Sequence, residues 1–200
     1  MNKIAIFAAI IMLGAGAGMY VFQMNESGNK DPATDSESAD LTTEIGGIRF
    51  QLQDANGELR HSSEWDGKAR IINFWATWCA PCRREIPLLK ATQETFASSN
   101  VQIIGIAVDF PDAVAAYAEE AEFNYPILVG QEDAMAVAES SGIEFIGLPF
   151  TMVVSADGDL LKNHIGEIVE SHIEKITMVF AQMERGELNL ADARSALRDL

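Results

Sequence analysis

The apolar positions of this chain fall into one unbroken block near the N-terminus and, after a polar stretch, into short runs that switch between two periods. The block, Ile4 to Phe22, holds no charged residue. At ~1.5 Å of helix per residue it just crosses a ~30 Å hydrocarbon layer, and it reads as a membrane span. A second reading is a cleaved signal peptide, with Ile4 to Leu13 as its apolar region and Ala15-Gly16-Ala17 as its cleavage site. The apolar run continues through Met19, Val21 and Phe22 and favours the retained anchor. Lys3 precedes the block while acids dominate the far side, so both readings export the remainder of the chain. Residues 1–24 are thus an anchor or uncleaved signal. Residues 25–44, rich in Ser, Asp and Glu with little to bury, form an acidic flexible linker.

Beyond the linker, strand and helix patterns alternate. Ile48 to Gln53 alternates apolar and polar positions, and Asp54-Ala55-Asn56-Gly57 turns the chain back through Arg60. Arg70 to Trp75 and Val101 to Val108 are continuous apolar runs, the mark of central strands covered on both faces. A helix over residues 81–97 lies between them, entered at Pro81 and expected to bend at Pro87, whose missing N–H leaves the Arg83 carbonyl unpaired. A strand, helix and strand in this order predict a right-handed crossover between parallel strands. Further helices are predicted over residues 112–122, 133–140 and 167–185, with strands at 126–129, 151–155 and 160–165. The last two strands flank the turn Ala156-Asp157-Gly158-Asp159. The class is α/β, with a domain over residues 45–185. Residues 186–200 form a tail in which Asn189 caps a short helix.

Composition narrows the function. Thirty acidic and 14 basic residues leave a net charge of −16, to which the linker contributes −5, the chain beyond it −12 and Lys3 +1. A surface of this sign repels phosphate, so nucleic acid is excluded as a partner. The chain has two cysteines, and they stand together in Trp78-Cys79-Ala80-Pro81-Cys82. So short a loop is a poor staple, contributing only about 2 kcal/mol in the chain-entropy model. It is well placed for redox chemistry instead. Cys79 follows a buried strand and opens a helix, where free N–H groups and the positive helix end favour a thiolate. Cys82, one turn further in, is placed to resolve a mixed disulfide. Zinc needs about four ligands, and His61, His164 and His172 offer no second half-site, so neither metal nor other cofactor is called for. The three histidines read as surface or strand-edge residues. Trp75 reads as core, and Trp78 either as core or as the wall of a substrate groove.

The segment Asn73 to Pro87 (NFWATWCAPCRREIP), together with Gly147-Leu148-Pro149 before a strand and Asp157-Gly158, resembles the membrane-anchored thioredoxin-like oxidoreductases of the TlpA and ResA type. The resemblance covers residues 45–185. It implies a thioredoxin fold: a mixed central sheet flanked by helices, here with an N-terminal β-hairpin extension and one preceding transmembrane helix. It further implies a redox disulfide Cys79–Cys82, a cis Pro149 facing the sulfurs, and backbone pairing of Leu148 with an extended substrate. Trp78, Pro81, Leu148 and Pro149 would then line the substrate groove. The activity implied is thiol-disulfide exchange, as a reductase of exported proteins such as apocytochrome c. Electrons would come from a membrane thiol donor, and the domain would face the periplasm of a bacterial inner membrane. A disulfide oxidase or isomerase and a non-cycling binding module are the rival readings.

Thioredoxins carry a buried Asp at the position of Asn73, and an amide cannot move a proton. Glu85, three residues after Cys82 and on the same side of the helix, is the candidate replacement, since the resembled family has a glutamate there. Partly buried, with a raised pKa, it can accept the Cys82 proton. The competing reading is a solvent-facing carboxylate paired with Arg84.

Overall fold

Two apolar runs decide the centre of the fold. The computed structural model describes residues 47–96 and 98–200. The predicted span at residues 4–22 and the linker over residues 25–44 lie outside them. Among the described residues no helix is long and apolar enough to cross a membrane. The strands are β1 (Gln51–Asp54), β2 (Leu59–His61), β3 (Ala69–Trp75), β4 (Val101–Val108), β5 (Ile127–Gly130), β6 (Phe150–Val154) and β7 (Leu160–Ile165). They form one sheet in the order β2-β1-β5-β4-β3-β6-β7. The apolar runs of β3 and β4 pair in parallel at its middle, Ala69 opposite Val101 through Trp75 opposite Ala107. β5 continues the parallel part, while β1, β6 and β7 join antiparallel.

The helices are α1 (Ala80–Thr95), α2 (Pro111–Ala121), α3 (Glu132–Glu139), α4 (Glu170–Glu184) and α5 (Leu190–Ala196). Alternation along the central strands divides the core in two. On one face Ile71, Trp75, Ile103 and Ala107 pack with Ile86 and Leu89 of α1, Val114 of α2 and Ile176 and Val179 of α4. On the other, Ile72, Phe74, Ile104 and Ile106 pack with Ala134 and Val137 of α3 and with Phe50, Leu52 and Trp65. Both crossovers among β3, β4 and β5 thus put their helices on one face, as a consistent right-handed connection requires. Gly105 of β4 keeps the first core closed, since a Cβ there would lie 2.7 Å from Ile127 Cδ1 and 3.2 Å from Trp75 Nε1.

Three local expectations change. The first strand begins at Gln51 rather than Ile48, because β2 ends at His61. A short 3₁₀ helix, Ser62–Trp65, follows, and Phe50 N–H turns to Ser62 Oγ at 3.1 Å. Glu64 stabilises that turn by accepting the His61 N–H at 2.9 Å, the back-reaching half of a capping box. The helix predicted from residue 167 starts at Glu170, and residues 166–169 form a loop that carries the buried Ile168. The helix α1 contains Pro87, the position at which the sequence predicts a bend. The tail after residue 185 packs into the first core through Ala193 and Leu197, and Asn189 Oδ1 caps α5 by accepting the Asp192 N–H at 3.0 Å.

Candidate active site

Cys79 is the N-cap residue of α1, separated from the end of β3 by the turn Ala76-Thr77-Trp78. Its sulfur is bonded to that of Cys82, with the two Cα atoms 5.3 Å apart, and accepts the Cys82 N–H at 3.3 Å. Cys82 is fully enclosed, whereas Cys79 keeps a little exposed surface. Only Cys79 is therefore open to an incoming sulfur, and it sits where unpaired helix N–H groups stabilise negative charge. The approach to it is held by Asp109, just past β4. Its Oδ2 accepts the Thr77 N–H at 2.9 Å and the Thr77 hydroxyl at 2.6 Å, while Oδ1 accepts the Phe110 N–H. Both Thr77 bonds end on the one Asp109 oxygen and tie the turn before Cys79 to the neighbouring parallel strand.

Glu85 does not face solvent. It is 1% exposed, on the inner side of α1. Oε1 accepts Asn73 Nδ2 at 2.8 Å and Oε2 accepts the Ile168 N–H at 2.6 Å. Asn73 also donates to Thr151 Oγ1 of β6 at 3.1 Å. Burial pushes the Glu85 carboxyl up to about 7; the hydrogen bonds from Ile168 and Asn73 oppose that rise, and nearby Glu167 adds to it. A carboxyl titrating there exchanges its proton near neutral pH, as a proton acceptor must. Arg84, the partner in the competing reading, pairs instead with Glu167 on the surface.

The remaining predicted residues surround the pair unevenly. Trp78 is 70% exposed beside Cys79, while Trp75 is core. Pro81 lies at the start of α1, half-buried. Leu148 packs against the core that contains both cysteines. The Leu148–Pro149 peptide is cis, and the buried Pro149 accepts the Gly166 N–H at 2.9 Å. His61 is exposed, but His164 and His172 are half-buried and meet, their ring centres 4.6 Å apart.

The model of the AhpC/TSA family matches residues 47–162, more than half of the chain. The chain belongs to this family. Among curated relatives, the thiol-disulfide oxidoreductase ResA of Halalkalibacterium halodurans is 27% identical over 168 residues, covering 84% of this chain and 87% of the relative. ResA of Geobacillus kaustophilus is 30% identical over 132 residues, covering 64% of this chain and 74% of the relative. Of solved structures, a thioredoxin-family thiol:disulfide interchange protein from Chlorobium tepidum superposes with a TM-score of 0.61 at 28% identity, covering 67% of this chain and 94% of that one. The chain is a thioredoxin-like thiol-disulfide oxidoreductase, with the α/β mixed sheet of that fold.

Four residues that shape the site escape a reading by motif. Asn73 stands out in the sequence only as an amide unable to move a proton, yet it is the donor that orients Glu85. Asp109 ends an apolar strand, a position with many uses, and its hold on Thr77 crosses 32 residues of sequence. Thr151 and the backbone of Ile168 reach the site from 78 and 83 residues away along the chain. Spacing along one helix finds Glu85; nothing local finds partners brought by other elements.

Proposed function

We propose that the protein is a reductase of disulfides in exported proteins, apocytochrome c among them, held by residues 4–22 on the outer face of a bacterial inner membrane. Residues 25–44 tether the domain, and a membrane thiol donor supplies its electrons. In the reduced enzyme the Cys79 thiolate attacks one sulfur of a client disulfide and forms a mixed disulfide, and the first client thiolate leaves. Cys82 then gives its proton to Glu85 and attacks Cys79 Sγ. The enzyme disulfide forms, the second client thiolate leaves, and two electrons have passed to the client. Trp78, Pro81, Leu148 and Pro149 line the groove in which the client segment lies extended, paired with the backbone at Leu148.

The observation that carries this reading is the enclosed Glu85, held by Asn73 and Ile168 one helical turn beyond a Cys82 that solvent does not reach. A buried thiol can become a nucleophile only if a nearby group takes its proton. The deciding experiment is the reduction potential of the Cys79/Cys82 couple in the full chain, equilibrated against a dithiothreitol or glutathione series. A value near roughly −270 mV supports a reductase; a value near roughly −120 mV makes the protein a disulfide donor and overturns the proposed direction.

A further inference from the structure

The loop over residues 166–169 separates β7 from α4 and supplies the backbone N–H that Glu85 Oε2 accepts. Its last residue, Val169, is the N-cap position of α4 and has no side-chain oxygen or nitrogen with which to cap the helix. The cap comes from inside the helix. His172, at the third helical position, turns its ring back so that Nδ1 accepts the Val169 N–H at 3.4 Å. Glu and Gln perform this reach in a capping box, and a titrating ring in their place is a sequence choice with a consequence. A neutral imidazole with its proton on Nε2 offers the Nδ1 lone pair; an imidazolium does not.

The surroundings bear on that proton. His164 of β7 packs edge-on against His172, ring centres 4.6 Å apart. Its Nε2 is buried with no hydrogen-bond partner among the described residues, beside Gly166. From β6, the neutral Thr151 stands opposite His164. Lys175 lies one turn further along α4, and Lys162 of β7 donates to the carbonyl of Arg198. In the loop, Glu167 is engaged by Arg84 of α1. Desolvation, His164 and Lys175 all hold the His172 pKa below the usual histidine range, which keeps Nδ1 free to accept at neutral pH.

We propose that His172 is a positioning residue: by accepting the Val169 N–H it holds the loop that aims the Ile168 N–H at Glu85, and its protonation in acid releases that hold. The inference deepens the reading of Glu85 as the proton acceptor and rests on it for its catalytic meaning. The Ile168 bond favours the ionised carboxylate, so losing it raises the affinity of Glu85 for its proton. In falling pH Glu85 takes its proton before His172 does, so the hold acts where it matters, on the ionised carboxylate while His172 is still neutral.

The test is a carbon-13 NMR titration of the Glu85 carboxyl in the full chain, with amide exchange at Ile168 and Val169 followed alongside. Replacing the ring by one of similar bulk without an acceptor, His172→Phe, is expected to raise the Glu85 midpoint by about one pH unit, the size of one hydrogen bond to a carboxylate. Exchange at Val169 should quicken. His172→Gln restores a capping acceptor that does not titrate, and is expected to return the midpoint and the exchange rate to those of the parent. An unchanged midpoint in His172→Phe, or an equal shift in both variants, overturns the proposal. Should the Phe variant not fold, His172→Ala takes its place. The carboxyl titration is read without turnover, so if Glu85→Gln left catalysis intact the mechanism would fail while this coupling stood or fell separately.

Discussion

Asn73 and Glu85 meet inside the fold, amide nitrogen to carboxylate oxygen at 2.8 Å, one from the central strand β3 and the other from the helix that begins at Cys79. The amide cannot take a proton, but its donation favours the charged carboxylate, so the pair divides between two side chains what a single buried acid would do alone. Asn73→Ala removes that donor and should move the Glu85 midpoint above about 7. Turnover at pH 7 should fall and recover at higher pH. Glu85→Gln should slow turnover by about 10²-fold or more above pH 7, where the carboxyl is ionised, and by progressively less below it, the behaviour of a positioned general base. Steady-state rates between pH 5 and 9 check both, and a flat profile in Asn73→Ala would separate the amide from the proton step.

The same carboxyl should make stability depend on pH. Glu85 titrates near 4.5 when unfolded and at about 7 in the fold. The native state thus binds the proton more tightly, and the stability this contributes is complete below the unfolded value. It is lost as pH rises from about 4.5 through about 7, by roughly 3 kcal/mol in the limit. Denaturant unfolding of the oxidised protein at pH 4.5 and 8 should show that decline, and Glu85→Gln should flatten it. Equal slopes in the two proteins would mean the fold does not penalise the Glu85 charge.

The order of attack can be read from trapped intermediates. With Cys79 open to partners and Cys82 enclosed, Cys82→Ser should accumulate mixed disulfides with client proteins, stable until a thiol is added. Non-reducing electrophoresis after exposure to a disulfide-bonded substrate reports them. Trapping by Cys79→Ser alone would reverse the roles.

Asp109 offers a test of positioning at a distance from the sulfurs. Asp109→Ala leaves the Thr77 N–H and hydroxyl without their acceptor, and should cost about 1–3 kcal/mol in unfolding free energy. It should also slow disulfide exchange at Cys79, because the turn that presents the cysteine loses both hydrogen bonds that tie it to the end of β4. Preserved exchange rates in a destabilised variant would confine Asp109 to a structural part.

How much of the fold and site was legible in the chain depended on distance along it. The α/β class, the hairpin at Asn56-Gly57, the pairing of two apolar strands and the helix opening at Pro81 follow from period, turn chemistry and run length, all of which act within a few residues. The cysteine pair and the candidacy of Glu85 are equally local, set by the three-residue spacing of one helix. Tertiary structure decided what that spacing means. Whether the carboxyl faces water or the core depends on which side of α1 the sheet covers, and its proton affinity depends on Asn73 and Ile168, delivered by other elements. The start of α4 moved for a similar reason: residues 167–169 have a polar and apolar pattern that suits a helix, but Ile168 is taken into the core and its N–H is claimed by Glu85. Arg70 shows the same limit, written into an apolar strand and then buried with Nε and Nη1 lacking a partner among the described residues. Local sequence encodes dihedral preference and periodicity, whereas burial and hydrogen-bond partners belong to whichever distant segment the fold brings alongside.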